Sequence, residues 1–213
     1  MPDRHQRLTT AALYLICDDR PDEFLESALR GGVDVLQLRW KDAPDGVLLA
    51  AARRFKSVCA RHNALFVVND RPDVAVAANA DGVHVGQDDV DPADARAVVG
   101  PDRLVGLSTH SPAQIDAVPE AVDYIGVGPV YETPTKPGRA AVGLELVQYA
   151  ARAASKPFFA IGGVSDANVE GVRRAGARRV AVVRALTDAA DPGAAAAALR
   201  RALTGAGGRI AAA

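Results

Sequence analysis

An α/β fold of eight strand–helix units is what the chain predicts, on three observations. Short apolar runs alternate with amphipathic or alanine-rich helical stretches from one end to the other. The runs are continuous rather than alternating, as strands buried on both faces of a parallel sheet are. The 213 residues divide into units of roughly 25, close to the unit of a (β/α)8 barrel. No composition shift or linker marks a second domain, so residues 1–213 read as one TIM barrel. A doubly wound open sheet is the alternative, but the first turn lacks a Gly-rich dinucleotide fingerprint.

The elements follow in order. Met1 to Thr10 is a polar lead without the apolar core of a signal peptide. Ala11 to Cys17 (AALYLIC) is a strand, broken by Asp18-Asp19-Arg20-Pro21. Asp22 to Arg30 is a helix stopped by Gly31-Gly32. Val33 to Arg39 is the second strand, and Asp45 to Arg61 an amphipathic helix with Val47, Leu48, Ala51, Phe55 and Val58 on one side. Leu65 to Asp89 (LFVVNDRPDVAVAANADGVHVGQDD) reads as strand, short helix, strand. A unit this compact implies parallel strands joined by a right-handed crossover. Pro92 to Val99 is a helix, Leu104 to Ser108 a strand, and Pro112 to Val118 a helix with proline in its first turn. Asp123 to Val127 is strand six, followed by a long loop over Gly128 to Val142. Leu144 to Ala154 is a helix, Pro157 to Ile161 strand seven, and Ser165 caps a helix to Ala175. Arg179 to Val183 is strand eight, Pro192 to Leu203 the last helix, and Gly205 to Ala213 a disordered tail.

Composition excludes several classes. The net charge is −1 and the charges are interspersed, which argues against a nucleic-acid or membrane-surface binder. No apolar run approaches the ~18 residues of a membrane span. Cys17 and Cys59 lack metal-ligand spacing and read as reduced core residues of a cytoplasmic protein.

The polar residues are distributed unevenly. After strand two come Arg39 and Lys41, after three Asn69 and Asp70, after four Gln87 and Asp89. Ser108 closes strand five, before Thr109-His110; Thr133, Thr135 and Lys136 follow six, Gly162-Gly163 seven, and Arg184 eight. The loops at the other strand ends hold plain helix stops. Polar groups therefore gather at the carboxyl mouth, where barrel enzymes keep their active sites.

Alternation along strand two puts Gln37, Arg39 and Lys41 on one side and Leu36, Leu38 and Trp40 on the helix-facing side. A cation turned inward needs an anion, so Arg39 either pairs with Asp70 or Asp89 or clamps a phosphate. Asp70 and Asp89 leave neighbouring strand ends and can share a hard cation such as Mg²⁺, or else cap helices and solvate loops. His84, with no His or Cys partner at ligand spacing, reads as a structural histidine; His110 is open between hydrogen-bonding and catalysis. Thr133, Thr135 and Lys136 suit a phosphate on a loop long enough to act as a lid, though a surface loop has the same composition. Gly162-Gly163 permits close approach to a second phosphate, or simply turns the chain.

The segments QLRWKD (37–42), VNDRPDVA (68–75), GVHVGQDD (82–89), GLSTH (106–110), DYIGVGPVYETPTK (123–136), AIGGV (160–164) and AVVRAL (181–186) occur in that order. Together they resemble the thiamine-phosphate synthase family, whose fold is a (β/α)8 barrel. The resemblance implies a transferase that joins a hydroxymethylpyrimidine diphosphate to a thiazole phosphate and releases pyrophosphate. It implies that Gln37, Arg39, Lys41, Asn69, Ser108 and Lys136 hold the pyrimidine diphosphate. Of these, Arg39, Lys41, Ser108 and Lys136 would act in catalysis. It further implies that Asp70 and Asp89 ligate Mg²⁺, and that Thr133, Thr135, Gly163, Val183 and Arg184 lie along the thiazole phosphate. Arg184 departs from the family pattern, in which many members carry Ser. An isomerase of the thiazole-tautomerase kind and a non-catalytic phosphate-ligand binder are the alternatives on the same barrel, and a homo-oligomer is compatible with either.

Overall fold

In the computed structural model, which describes residues 3–133 and 140–204, eight parallel strands close on themselves. They are Leu13–Cys17 (β1), Val35–Leu38 (β2), Leu65–Asn69 (β3), Gly82–Val85 (β4), Leu104–Thr109 (β5), Tyr124–Val127 (β6), Phe158–Ile161 (β7) and Val180–Val182 (β8). Each pairs with its sequence neighbour, and β1 pairs with β8 through Leu13, Tyr14 and Leu15. The predicted barrel is the observed fold.

The connecting helices are Asp22–Arg30 (α2), Asp45–Arg61 (α3), Pro72–Ala77 (α4), Pro92–Val99 (α5), Pro112–Asp116 (α6), Gly143–Ala153 (α7), Val169–Arg174 (α8) and Pro192–Thr204 (α10). Two further helices lie outside the predicted alternation. Arg184–Thr187 (α9) follows β8 directly, and Arg4–Thr10 (α1) forms from the polar lead. Neither has a strong local signal, and α1 is held by tertiary partners. Arg4 pairs with Asp81 at 3.1 Å, His5 contacts Asp123 at 3.2 Å, and Leu8 is buried among the strands. The helix predicted from Ser165 begins later, because residues 166–168 form a turn. The predicted tail over 205–213 lies outside the described residues.

Strand alternation separates two cores. Tyr14, Ile16, Val35, Leu65, Val67, Leu104, Tyr124, Phe159 and Ala181 fill the barrel, with Leu8 of the lead and the following Ala11 beneath them. Leu36, Leu38, Phe66, Val68, Val83 and Ile125 face the helices, and Trp40 packs on that side as its register requires. Cys17 and Cys59 are buried and free, also in this outer layer. The expected apolar side of α3 is buried at Leu48, Ala51, Phe55 and Val58 but not at Val47, which is 47% exposed in the first turn.

The floor of the barrel repeats one device. Asp34, Asp81 and Asp123 each stand one residue before an even-numbered strand. Their carboxylates accept backbone N–H groups at the start of the preceding odd strand: Ala12 and Leu13, Phe66, and Val105, at 2.7–3.0 Å. Each is neutralised by a cation: Asp34 by Arg200, Asp81 by Lys56 and Arg4, Asp123 by Arg96. Before β8 the acid is replaced by Arg179, which donates to the Thr9 carbonyl at 2.8 Å. Structural anchoring thus occupies the floor and leaves the polar groups of the mouth for other work.

Candidate active site

The mouth is built from three strand ends on one side. Asp70 follows β3 in the left-handed conformation, φ 59°, with its N–H on the His84 carbonyl at 2.8 Å. Asp89 follows β4, and its carboxylate accepts the Gly86 N–H at 2.8 Å. A Cβ at Gly86 would lie 2.7 Å from that same oxygen, so a side chain there would push the Asp89 carboxylate aside. The two carboxyl groups are within hydrogen-bonding reach of each other. Burial raises the Asp70 carboxyl above the usual range; Lys41, at 3.0 Å, opposes this and the neighbouring Asp89 adds to it. The predicted convergence of the two aspartates is therefore present. Among the described residues Asp70 pairs with Lys41 rather than with Arg39. Arg39 is half-buried just past β2, anchored by its own N–H on the Cys17 carbonyl at 2.8 Å.

Gln37 and Asn69 end the inward rows of β2 and β3. Gln37 is buried and donates from Nε2 to the Tyr14 hydroxyl at 2.6 Å; Asn69 is half-buried at the rim. Across the barrel, Ser108 bonds His84 Nε2 at 3.0 Å, and Gln87 Nε2 donates to the Ser108 carbonyl at 2.7 Å. His84 is satisfied on both ring nitrogens, as a structural histidine would be. His110 Nδ1 lies 2.5 Å from the Gly128 carbonyl.

The opposite side of the mouth opens into a cavity of about 340 Å³ lined by Ser108, Thr133, Gly163, Val183 and Arg184, among others. Gly162 and Gly163 have φ values of 101° and 65° and lie against the backbone of Pro129 and Tyr131. Asn168 holds this turn, donating to the Gly163 carbonyl at 2.8 Å while its Oδ1 accepts the Ser165 N–H at 2.9 Å. The sequence singled out Ser165 as a cap and passed over Asn168. Thr135 and Lys136 lie outside the described residues.

Tyr14 and Tyr124, which the distribution of polar residues at strand ends does not single out, sit at inward positions of apolar runs; the two-residue period that turns Gln37 inward turns them inward too. The same period places Gly106 inward, where a Cβ would lie 2.3 Å from Tyr124 and 2.4 Å from His84.

A hard divalent cation fits this donor set. Two close carboxylates, one of them disfavoured as an anion, offer oxygen ligands only. Among the described residues no group of three or more His, Cys, Asp or Glu side chains gathers for a metal, so the remaining positions would be water and substrate oxygens.

Fold and mouth define a (β/α)8 barrel of the kind that presents polar groups at the strand carboxyl ends. The chain belongs to the thiamine monophosphate synthase family, whose model matches residues 13–186. It is 51% identical over 194 residues to the thiamine-phosphate synthase of Gloeobacter violaceus, covering 90% of this chain and 57% of that protein. It is 52% identical over 208 residues to that of Saccharopolyspora erythraea, covering 91% and 93%. A solved thiamine phosphate pyrophosphorylase from Pyrococcus furiosus superposes with a TM-score of 0.84 at 30% identity, over 92% of this chain and 96% of the other. The chain spans a little over half the length of several of the curated relatives it matches. No described helix is long and apolar enough to cross a membrane.

Proposed function

We propose that the protein is a thiamine-phosphate synthase: it transfers the hydroxymethylpyrimidine group from its diphosphate to the nitrogen of a thiazole phosphate and releases pyrophosphate. The observation that supports this most is the pairing of one charged cluster with one cavity. Lys41, Asp70 and Asp89 meet on one side of the mouth, with Arg39 beside them, and the Gly163–Arg184 cavity lies on the other. The cluster is a place for a departing diphosphate; the cavity takes the phosphate-bearing acceptor beside Gly163 and Arg184 and the pyrimidine beside Ser108.

Arg39, Lys41 and Lys136 stabilise charge growing on the leaving group, which is electrostatic catalysis. Asn69, Gln37 and Ser108 hold the pyrimidine diphosphate. Asp70 and Asp89 would hold Mg²⁺, which when bound supplies further positive charge to the diphosphate oxygens. Departure of pyrophosphate leaves a benzylic-type pyrimidine cation, so no strong general base is needed. Thr133, Thr135, Gly163, Val183 and the Arg184 guanidinium hold the thiazole phosphate, which keeps its nitrogen close to the cation. Water must be kept from such a cation; the loop after β6, expected from its length to serve as a lid, lies partly outside the described residues. The protein is expected to act in the cytoplasm.

The test is pyrophosphate release with both substrates, with and without Mg²⁺. Release that requires both substrates and the metal is expected; rearrangement of a thiazole phosphate without pyrophosphate would give the isomerase reading instead. Asp89→Ala and Lys136→Ala should each lower turnover about a hundredfold or more with the fold intact. Unchanged turnover in both variants refutes the assigned roles.

A further inference from the structure

The barrel interior holds a continuous polar chain that crosses it from β2 to β5. Gln37 Nε2 lies 2.6 Å from the Tyr14 hydroxyl, which lies 3.0 Å from the Tyr124 hydroxyl. Tyr124 is 3.3 Å from His84 Nδ1, and His84 Nε2 is 3.0 Å from Ser108 Oγ. Both phenols are fully buried, and burial holds them in the protonated form. Phe159 packs edge-on against both rings, and Gly106 leaves the space in which Tyr124 meets His84.

The hydroxyl and imidazole contacts alone leave the direction of the chain open, and the Gln37 amide, with Nε2 toward Tyr14, sets it. An amide nitrogen can only donate, so Tyr14 accepts from Gln37. Its one proton must then go to Tyr124, since a buried hydroxyl without an acceptor is costly. Tyr124 in turn must donate to Nδ1 of His84. The imidazole proton therefore sits on Nε2 and donates to Ser108, whose own hydroxyl proton is left to point into the cavity that Ser108 lines.

We propose that Tyr14 and Tyr124 are positioning residues that set the Nε2–H tautomer of His84 and so make Ser108 a hydrogen-bond donor to an acceptor atom of the pyrimidine diphosphate. The substrate half of this inference rests on the function proposed above; the tautomer half does not.

The first measurement is ¹⁵N NMR of the histidine ring nitrogens in the ligand-free protein at neutral pH, with His84 identified by its loss in His84→Gln. The expected result is a proton on Nε2 and a bare Nδ1. A proton on Nδ1, or on both nitrogens, overturns the inference. Tyr124→Phe removes the donor to Nδ1 and should populate the other tautomer. It should also raise KM for the pyrimidine diphosphate about tenfold while leaving that for the thiazole phosphate unchanged. Tyr14→Phe should act in the same direction, and Tyr124→Phe should add little once Ser108→Ala is present. A purely structural role would move the melting temperature but neither the tautomer nor the ratio of the two KM values. If the wild type shows the expected tautomer but no pyrophosphate release, the proposed function fails and the relay stands. If it turns over with the wrong tautomer, the relay alone fails.

Discussion

Asp70 takes a left-handed backbone that costs a residue other than glycine on the order of 1 kcal/mol. It also carries a carboxyl raised by burial and by Asp89. The folded state keeps that proton over a pH range in which the unfolded chain has lost it. Stability therefore falls as pH rises through that range and stays lower above it. The half-exposed Lys41 offsets this only in part. In chelator at neutral pH, Asp70→Asn should melt at a higher temperature than the wild type. Added Mg²⁺ should raise the wild-type melting temperature and leave the variant where it is; the reverse order of stabilities would contradict the reading of the pair. Gly86→Ala should weaken Mg²⁺ binding in a titration, because the new methyl displaces the Asp89 carboxylate, while thermal stability changes little. The cysteines give a third residue-level expectation. Burial pushes the Cys59 thiol up to about 12, and Cys17 is raised by burial as well. Since the thiolate is the reactive form, a thiol reagent at pH 7 should label neither until the protein unfolds.

At the scale of elements, the strands and most helices were legible because their burial is local and periodic. What could not be read were elements held by distant partners. Helix α1 is seven residues of polar sequence, and its hold on the barrel is Leu8 in the interior, Arg4 on Asp81 and His5 on Asp123. A window of sequence contains none of those partners. The same limit applies at the mouth. The strand-end positions of Asp70, Asp89 and Ser108 followed from the pattern, whereas the choice of Lys41 over Arg39 as the acid's partner depends on side-chain reach. Asp81 offers the test at this scale. It is buried, accepts the Phe66 N–H, and pairs with Lys56 and Arg4. Asp81→Ala leaves a buried donor and two cations unmatched, and should destabilise the fold by roughly 2–4 kcal/mol in urea unfolding. Arg4→Ala should cost well under half of that, since its side chain is partly exposed.

For the whole molecule, the two ends of the barrel divide the labour. Acids at the floor are consumed by strand N–H groups and by arginines and lysines, while acids at the mouth face each other. The repeat of Asp34, Asp81 and Asp123 makes three quarters of the barrel variations on one unit, and Arg179 marks the fourth as different. The helix under the floor has a further result for traffic. With Leu8 and Ala11 plugging the lower end beneath a filled interior, nothing can pass through the barrel, and arrivals and departures share one doorway. Gln37 is buried and Ser108 half-buried in that doorway, whereas Arg184 is exposed at its edge. Under the proposed function, the pyrimidine partner should therefore dock first and the thiazole partner shut it in. Initial-rate and product-inhibition kinetics should show compulsory order, with the occupant nearest the rim always the earlier to go.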